Sequence, residues 1–157
     1  MGFLSELFGG KTSNVQKKPI NTTVDSIYSS LTRHQRLAAM NLMFAFSGSC
    51  SGTVEELSKI NHIMAKEGQA LGITKEEMQT ATSSLFNNDM RTMANALKGA
   101  DKVTLEKLFW AFYCIIAAGK SKQAVLILLS IYEDFGFSNQ DCVSILERRT
   151  GIKMGKL

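Results

Sequence analysis

The run Gly48-Ser49-Cys50-Ser51-Gly52 is the part of this sequence that most resembles a nucleophile site. A reactive Cys or Ser between two glycines needs a strand before it, a helix after it and a base within reach. The residues before Gly48 have the composition and spacing of a helix instead. His34 and His62 are the two histidines available as a base, and no third member is apparent. We therefore interpret the run as a turn between two helices.

Two further patterns, Gly119-Lys120-Ser121 and Gly10-Lys11-Thr12, match the end of a phosphate-binding loop. Such a loop also needs an earlier glycine and a preceding strand. Cys114 and Ser5 occupy the positions where that glycine should stand. Neither pattern is complete, and we predict that the chain is not an enzyme.

Glu55 and Glu56 are the candidate metal ligands. A hard cation such as Ca²⁺ or Mg²⁺ binds several oxygen atoms, most of them from carboxylates. These two glutamates and backbone carbonyl groups near Gly48 could supply part of such a set. The glutamates also follow Thr53, a typical helix cap, and acids are stabilised in the first turn of a helix. We favour the capping interpretation and expect no cofactor; a divalent-metal-responsive module with an altered carboxylate site is an alternative.

The composition indicates one soluble helical domain. The chain has 157 residues, of which 45% are apolar and 20% charged, and a single proline. Cys50, Cys114 and Cys142 are odd in number and far apart, which favours a cytoplasmic environment over a disulfide framework. The longest apolar run, 108–118, is shorter than the ~18 residues of a membrane span. No secretory signal is visible at the N-terminus.

The positive charge lies at the two ends of the chain. The net charge is +4, to which residues 1–20 contribute +2, residues 147–157 contribute +3 and the body contributes −1. We expect these ends to be solvated. They also supply the candidate contacts with a partner or with phosphate: Lys11, Lys17, Lys18, Arg148, Arg149, Lys153 and Lys156. Tail-driven binding to nucleic acid is a further alternative, which the lack of interleaved aromatic residues disfavours.

Apolar residues recur at intervals of three and four from Asn21 onward, which predicts an all-α fold. A compact bundle of about eight helices is expected, at 23–33, 35–47, 54–71, 75–86, 89–98, 104–118, 121–135 and 139–149. The segments 105–118 and 123–132 are apolar on nearly all sides, so we expect them to form the centre of the bundle. Two groups of residues are expected in the core: Leu57, Ile60, Met64 and Leu71, and the aromatic group Phe109, Trp110, Phe112 and Tyr113.

The chain ends are expected to lie outside the folded body. Residues 1–22 read as an N-terminal segment and flexible linker, residues 23–150 as a single helical domain, and residues 151–157 as a basic tail. The first eight residues place four large apolar side chains on one helical face. They are expected to dock on the body, to contact a membrane surface or to bind a partner.

Two helix junctions share one chemistry. Residues 72–78 and 136–142 each begin with a Gly that can end a helix, followed by an apolar residue and a Thr or Ser N-cap. An acid three residues after each cap predicts a capping box, with Thr74 and Glu77 in the first and Ser138 and Asp141 in the second. An Ala-rich helix that ends in Gly precedes both junctions. This order predicts a duplicated helical hairpin with a shared core.

Over about residues 35–149, the sequence resembles the tellurite-resistance TerB-like family. The residues that carry the resemblance are 45–48, Glu55 or Glu56, and 71–74 in the first half, and 117–119 and 135–138 in the second. The resemblance implies an all-helical domain built from two related halves. It also implies a non-enzymatic protein-interaction module in stress resistance of the tellurite type. Such a module would act through an unidentified protein partner or at a membrane surface, and it could form a homo-oligomer.

The chain departs from the family pattern at the turns that are implicated in metal binding. Family members carry an aspartate where this chain has Ser47 and Ala118. We therefore do not transfer the family's metal site to this sequence. The spacing of the two halves also differs, with Gly48 to Gly72 seven residues longer than Gly119 to Gly136. A longer third helix or an inserted loop would explain this difference.

Overall fold

The computed structural model describes residues 24, 26–49, 52–74, 76–77 and 89–153. This part of the chain is compact and helical, and it contains no strand. Its elements are a 3-10 turn at Ser26–Tyr28 and helices α1 (Arg33–Gly48), α2 (Val54–Ala70), α3 (Met90–Leu97), α4 (Lys102–Gly119), α5 (Lys122–Asp134) and α6 (Asn139–Thr150). The expectations for residues 1–22, for most of 75–86 and for Lys156 fall outside the described residues.

Short polar side chains define where several helices begin. The hydroxyls of Thr53 and Ser138 accept hydrogen bonds from the backbone N–H three residues on, and the acid there returns a bond to the cap. Thr74 forms the same reciprocal pair with Glu77 at 3.0 Å. These three caps confirm the sequence prediction. They satisfy backbone donors that a helix N-terminus otherwise leaves without partners.

The helix predicted at 23–33 is wrong over the described residues, which contain only the one-turn 3-10 helix Ser26–Tyr28. Serines compete with helical hydrogen bonding. The Ser29 hydroxyl donates to the Ser26 carbonyl, and the Ser30 hydroxyl donates to Asp101. Thr32 then starts α1 by forming a capping box with Gln35. Helix α1 therefore begins two residues before the predicted start at 35.

The two Gly junctions have matching backbone geometry. Gly72 and Gly136 both adopt positive φ, at 68° and 99°. After each, the apolar residue donates its N–H to a carbonyl five residues back, as in a Schellman motif. The seven-residue difference between the intervals Gly48 to Gly72 and Gly119 to Gly136 has both of the expected sources. Helix α2 has 17 residues against 13 in α5, and the connection before α2 is also the longer one.

Helix α4 forms the centre of the described fold. It packs against α1, α2, α5, α6 and the 3-10 turn, and its Phe109 and Phe112 are fully buried. Tyr132 of α5 anchors that helix by donating to the Leu105 carbonyl at 2.7 Å. The prediction of a central position is confirmed for α4 and wrong for α5. Leu126 of α5 is 66% exposed, because α5 contacts chiefly α4 and α6 and leaves its outer face uncovered.

None of the helices within the described ranges has the length and apolar character needed to cross a membrane.

Candidate functional site

Helix α2 presents its residues to three different environments. Ile60 and Met64 are buried in the core, as predicted. Leu57 is 41% exposed, so the prediction that it belongs to the same buried stripe is wrong. Leu57 lies in the first turns of α2, where residues 53–59 are exposed apart from the half-buried Glu56. The remaining sides of α2 border a charged cleft near its C-terminus and an apolar groove near its N-terminus.

Glu67 and Lys107 form the floor of the charged cleft and belong to a cluster of three polar side chains, whose third member, Tyr28, is fully buried. The Tyr28 hydroxyl donates to Oε1 of Glu67 at 2.6 Å. The Lys107 ammonium donates to both Glu67 oxygens at 3.0 and 3.2 Å and to the Tyr28 hydroxyl at 3.2 Å. The same ammonium lies 5.3 Å from the centre of the Tyr28 ring. The 3-10 turn, α2 and α4 each contribute one member, so the cluster joins three parts of the chain.

The burial of this cluster fixes the protonation state of Tyr28. Tyr28 is fully buried, and Glu67 is only 7% exposed. Burial first, and then the charge of Glu67, raises the pKa of Tyr28 far above its ordinary value. The phenol therefore stays neutral and acts as a hydrogen-bond donor. Removing a carboxylate from water is costly unless its oxygens are paired and hydrogen-bonded, and here Lys107 and Tyr28 supply those partners.

The cleft above this floor has a volume of about 420 Å³. Three helices line it, with Lys66, Glu67, Gln69 and Ala70 from α2, Lys107 and Trp110 from α4, and Arg149 from α6. Trp110 is half-buried and lines the cleft. Trp110 therefore packs against the edge of the core and also borders the cleft, whereas Phe109 and Phe112 next to it are buried, as expected.

The charges of the cleft are not balanced. Lys107 is neutralised by Glu67. Within the described residues, neither Lys66 nor Arg149 lies within ion-pair distance of a carboxylate. The positive charge of Arg149 opposes part of the rise in the pKa of Tyr28, so Arg149 interacts electrostatically with the cluster. Counted over the described residues that line it, the cleft therefore carries two more positive than negative charges, next to an indole ring.

An apolar groove of about 520 Å³ runs along another face of α2. Its lining residues recur at helical spacing: Val54, Leu57, Ser58, Asn61, His62 and Ala65. Val54 is 85% exposed, the highest value among the large apolar side chains described. His62 lies at the surface of the protein. The groove is thus a helix face whose apolar residues have no covering element among the described residues.

Glu55 and Glu56, the candidate metal ligands, lie in the first turn of α2. Glu56 caps the helix through Thr53 and pairs with Lys120 at 3.1 Å. Its cap hydrogen bond first, and then Lys120, hold the pKa of the Glu56 carboxyl below its usual value. No cluster of three or more His, Cys, Asp or Glu side chains suited to a metal ion occurs in the described part of the chain. The structure thus gives Glu56 a capping role.

The three predicted basic contact residues that the structure describes, Arg148, Arg149 and Lys153, lie in different environments. Arg148 pairs with Glu106 at 3.3 Å. Arg149, the next residue, lines the charged cleft instead, and Lys153 is exposed beyond the end of α6. Lys11, Lys17, Lys18 and Lys156 lie outside the described residues. Among the three described members of the set, Arg149 is the one that lines the cleft.

The phosphate-loop-like pattern Gly119-Lys120-Ser121 occurs where one helix ends and the next begins. Lys120 ends α4 in the left-handed conformation, with φ of 56°, and Ser121 caps α5. No strand precedes this turn, which a phosphate loop would require. Cys50 is outside the described residues. Burial first, and then the nearby Asp141 carboxylate, raises the pKa of Cys142 to about 11, and burial also raises the pKa of Cys114, so both remain thiols near neutral pH.

Sequence reasoning missed all three members of the buried cluster. A signal for Glu67 was present, because this residue continues the spacing of Ile60 and Met64 on the buried face of α2. A second signal was Lys107, which interrupts an almost entirely apolar helix. Opposite charges on the buried faces of two helices indicate an ion pair between them. Nothing local to Tyr28 indicated that it would join them.

No protein-family model, curated protein or solved structure matches the chain. The chemistry of the cleft and the groove therefore provides the basis for the functional proposals.

Proposed function

We propose that this protein is a non-enzymatic helical interaction module of the TerB-like type that acts through a protein partner. The apolar groove of α2 is the observation that carries the proposal. A folded chain exposes scattered apolar residues as a matter of course, whereas a contiguous row on one helix face is typical of a binding surface. Here the row includes Val54 and Leu57, both more than 40% exposed.

The shape of the groove suits an amphipathic helix from a partner. Its lining residues cover 54–65, which at 1.5 Å per residue is about 16 Å, or roughly three helical turns. Partner helices commonly insert apolar side chains into such grooves at intervals of three and four residues. Ser58, Asn61 and His62 supply hydrogen-bonding groups along the groove, and such groups can orient a partner.

We also propose that the domain consists of two related halves, as the resemblance implies. The matching Schellman geometry at Gly72 and Gly136, each followed by a capping box, supports this proposal. In each half, a helix that ends in Gly precedes the next helix: α1 ends at Gly48 and α4 at Gly119. The order of long helix, turn, helix and Gly junction is therefore the same in both halves.

The basic ends and the stress context belong to the same proposal. Residues 1–22 and 151–157 would strengthen attachment to the partner or to an anionic membrane surface, since clustered Lys and Arg attract negative charge. The resemblance implies a role in stress resistance of the tellurite type, and the cysteine usage favours the cytoplasm. Deleting these ends is expected to leave the melting temperature nearly unchanged while weakening attachment.

The groove proposal is tested with the double variant Val54→Ser/Leu57→Ser. The matched control is Val103→Ser, because Val103 is 61% exposed on α4 and lies outside the groove. Immobilised wild-type and variant proteins are compared for proteins recovered from lysate. A candidate that the groove variant loses and the control retains is then purified, and its affinity is measured by calorimetry.

The expected result is a purified partner whose affinity falls at least about tenfold with the groove variant and stays within about twofold with the control. Equal affinity for both variants would contradict the groove as the docking site. Cosedimentation of the wild type with anionic vesicles provides the membrane arm. Vesicle binding that survives in the groove variant, with no protein recovered selectively, would contradict a protein partner at the groove.

A further inference from the structure

We propose that the charged cleft between α2, α4 and α6 binds a small organic anion in which a phosphate or carboxylate group accompanies a flat ring. This site is separate from the apolar groove, and the proposal does not depend on the groove function. It concerns the space of about 420 Å³ above the Tyr28, Glu67 and Lys107 cluster.

The excess charge of the cleft selects an anion. Lys107 is occupied by Glu67 and Tyr28, so it contributes no net charge. Lys66 and Arg149 line the same space, and neither is paired with a carboxylate among the described residues. Two cations facing one cleft repel each other and gain energy when an anion lies between them. The planar guanidinium of Arg149 suits the two oxygens of a carboxylate or phosphate.

The indole of Trp110 favours a ligand that contains a flat ring. Trp110 lines the cleft and stacks on Tyr113, with ring centres 6.2 Å apart and planes inclined by 20°. This stacking supports the indole from the side of Tyr113. A flat ring gains dispersion and quadrupole interactions with a half-buried indole. The volume lies within the usual range for small-molecule sites, about 300–1,000 Å³.

The floor of the cleft is fixed before any ligand arrives. The neutral Tyr28 phenol, the Glu67 carboxylate and the Lys107 ammonium satisfy one another at 2.6–3.2 Å. These hydrogen bonds connect the 3-10 turn, α2 and α4. Helix α2 carries Gln69 on one side of the cleft, and α4 carries Trp110 on another. A rigid site loses less conformational entropy on binding than a flexible one. The Glu67 carboxylate also disfavours a ligand with negative charge on all sides, which favours an anionic group at one end.

The binding test uses Trp110 as its reporter, since it is the single tryptophan of the chain. The full-length protein is titrated with adenosine monophosphate and with indole-3-acetate, which represent the phosphate and carboxylate sources. Adenosine and inorganic phosphate provide the ring alone and the anion alone. Calorimetry gives affinities for all four compounds, and quenching of the Trp110 emission checks the site for the adenine compounds and phosphate.

We expect saturable binding of at least one ring anion, at least about tenfold tighter than either adenosine or inorganic phosphate. Arg149→Gln is expected to weaken this binding about tenfold or more. Arg148→Gln makes the same change of charge one residue away, at a side chain that pairs with Glu106 outside the cleft, and it is expected to remain within twofold.

Three results would overturn the proposal. The first is the absence of saturable binding by both ring anions at millimolar concentration. The second is an equal loss of affinity in Arg149→Gln and Arg148→Gln, which would assign binding to net charge. The third is unchanged affinity in Trp110→Leu, measured by calorimetry on a variant whose melting curve shows that it is folded.

Discussion

The charged cleft and the apolar groove lie on the same helix, α2, and differ in what they contribute to the fold. The cleft is built on a cluster that joins three parts of the chain through hydrogen bonds of 2.6–3.2 Å. The groove is lined by residues such as Val54 and Leu57 that are largely exposed. The first surface thus has a structural role that the second lacks. This difference predicts that substitutions in the two regions separate into destabilising and silent classes.

The largest effect is expected from Glu67→Ala. This change leaves the Lys107 ammonium and the Tyr28 hydroxyl without their shared acceptor. Loss of one partner of a fully buried pair costs about 3–5 kcal/mol, and the partial exposure of Lys107, 21% for its side chain, reduces the expected loss to about 2–3 kcal/mol. Urea unfolding measures the loss. Lys66→Ala is the control, and an equal loss in both variants would contradict a structural role for the cluster.

A smaller effect is expected from Tyr28→Phe. The ring remains, so the change removes only the hydroxyl that donates to Glu67 at 2.6 Å. We expect a loss of about 1–2 kcal/mol in the free energy of unfolding, since Lys107 still pairs with the carboxylate. Urea unfolding of this variant and of Glu67→Ala should rank them in that order. A Tyr28→Phe variant as stable as the wild type would show that the phenol is dispensable.

Groove substitutions should leave stability nearly unchanged. Val54→Ser and Leu57→Ser replace exposed side chains, and we expect each to change the free energy of unfolding by less than about 0.5 kcal/mol. Ile60→Ser, one turn further along and buried, is the contrasting variant and should be strongly destabilising. If the Leu57 variant lost as much stability as the Ile60 variant, the groove would be part of the core.

The smallest effect is the change of stability with pH that Glu56, in the first turn of α2, is expected to cause. The pKa of Glu56 is lowered in the folded protein, by its hydrogen bond to the Thr53 backbone and by Lys120. A carboxyl group with a lowered folded-state pKa stabilises the protein above its unfolded value, and this contribution is lost as the pH falls through the folded value. Glu56→Gln should therefore be less stable than the wild type at pH 7, and the difference should shrink at pH 3. A difference of equal size at both pH values in urea unfolding would argue against this linkage.

Local features of the fold could be predicted from sequence, whereas the cleft could not. The caps at Thr53, Thr74 and Ser138 each depend on residues three positions apart, so the pattern itself carries the information. The cluster instead joins Tyr28 to residues 39 and 79 positions away. The position of Trp110 at the border of the cleft likewise depends on how α4 packs against α2 and α6. Periodicity shows that a helix has an apolar face, but it does not show which neighbour covers that face.

The central claim is that α2 carries two separate surfaces, a charged cleft for a ring anion and an apolar groove for a protein. Amide chemical shifts of the isotope-labelled protein, recorded during titration with adenosine monophosphate and with indole-3-acetate, test this claim most directly. The predicted result is that the largest shifts occur at residues 66–70, 107–110 and 149, with residues 54–62 unchanged. Largest shifts along 54–62, or equal shifts at both surfaces, would contradict it.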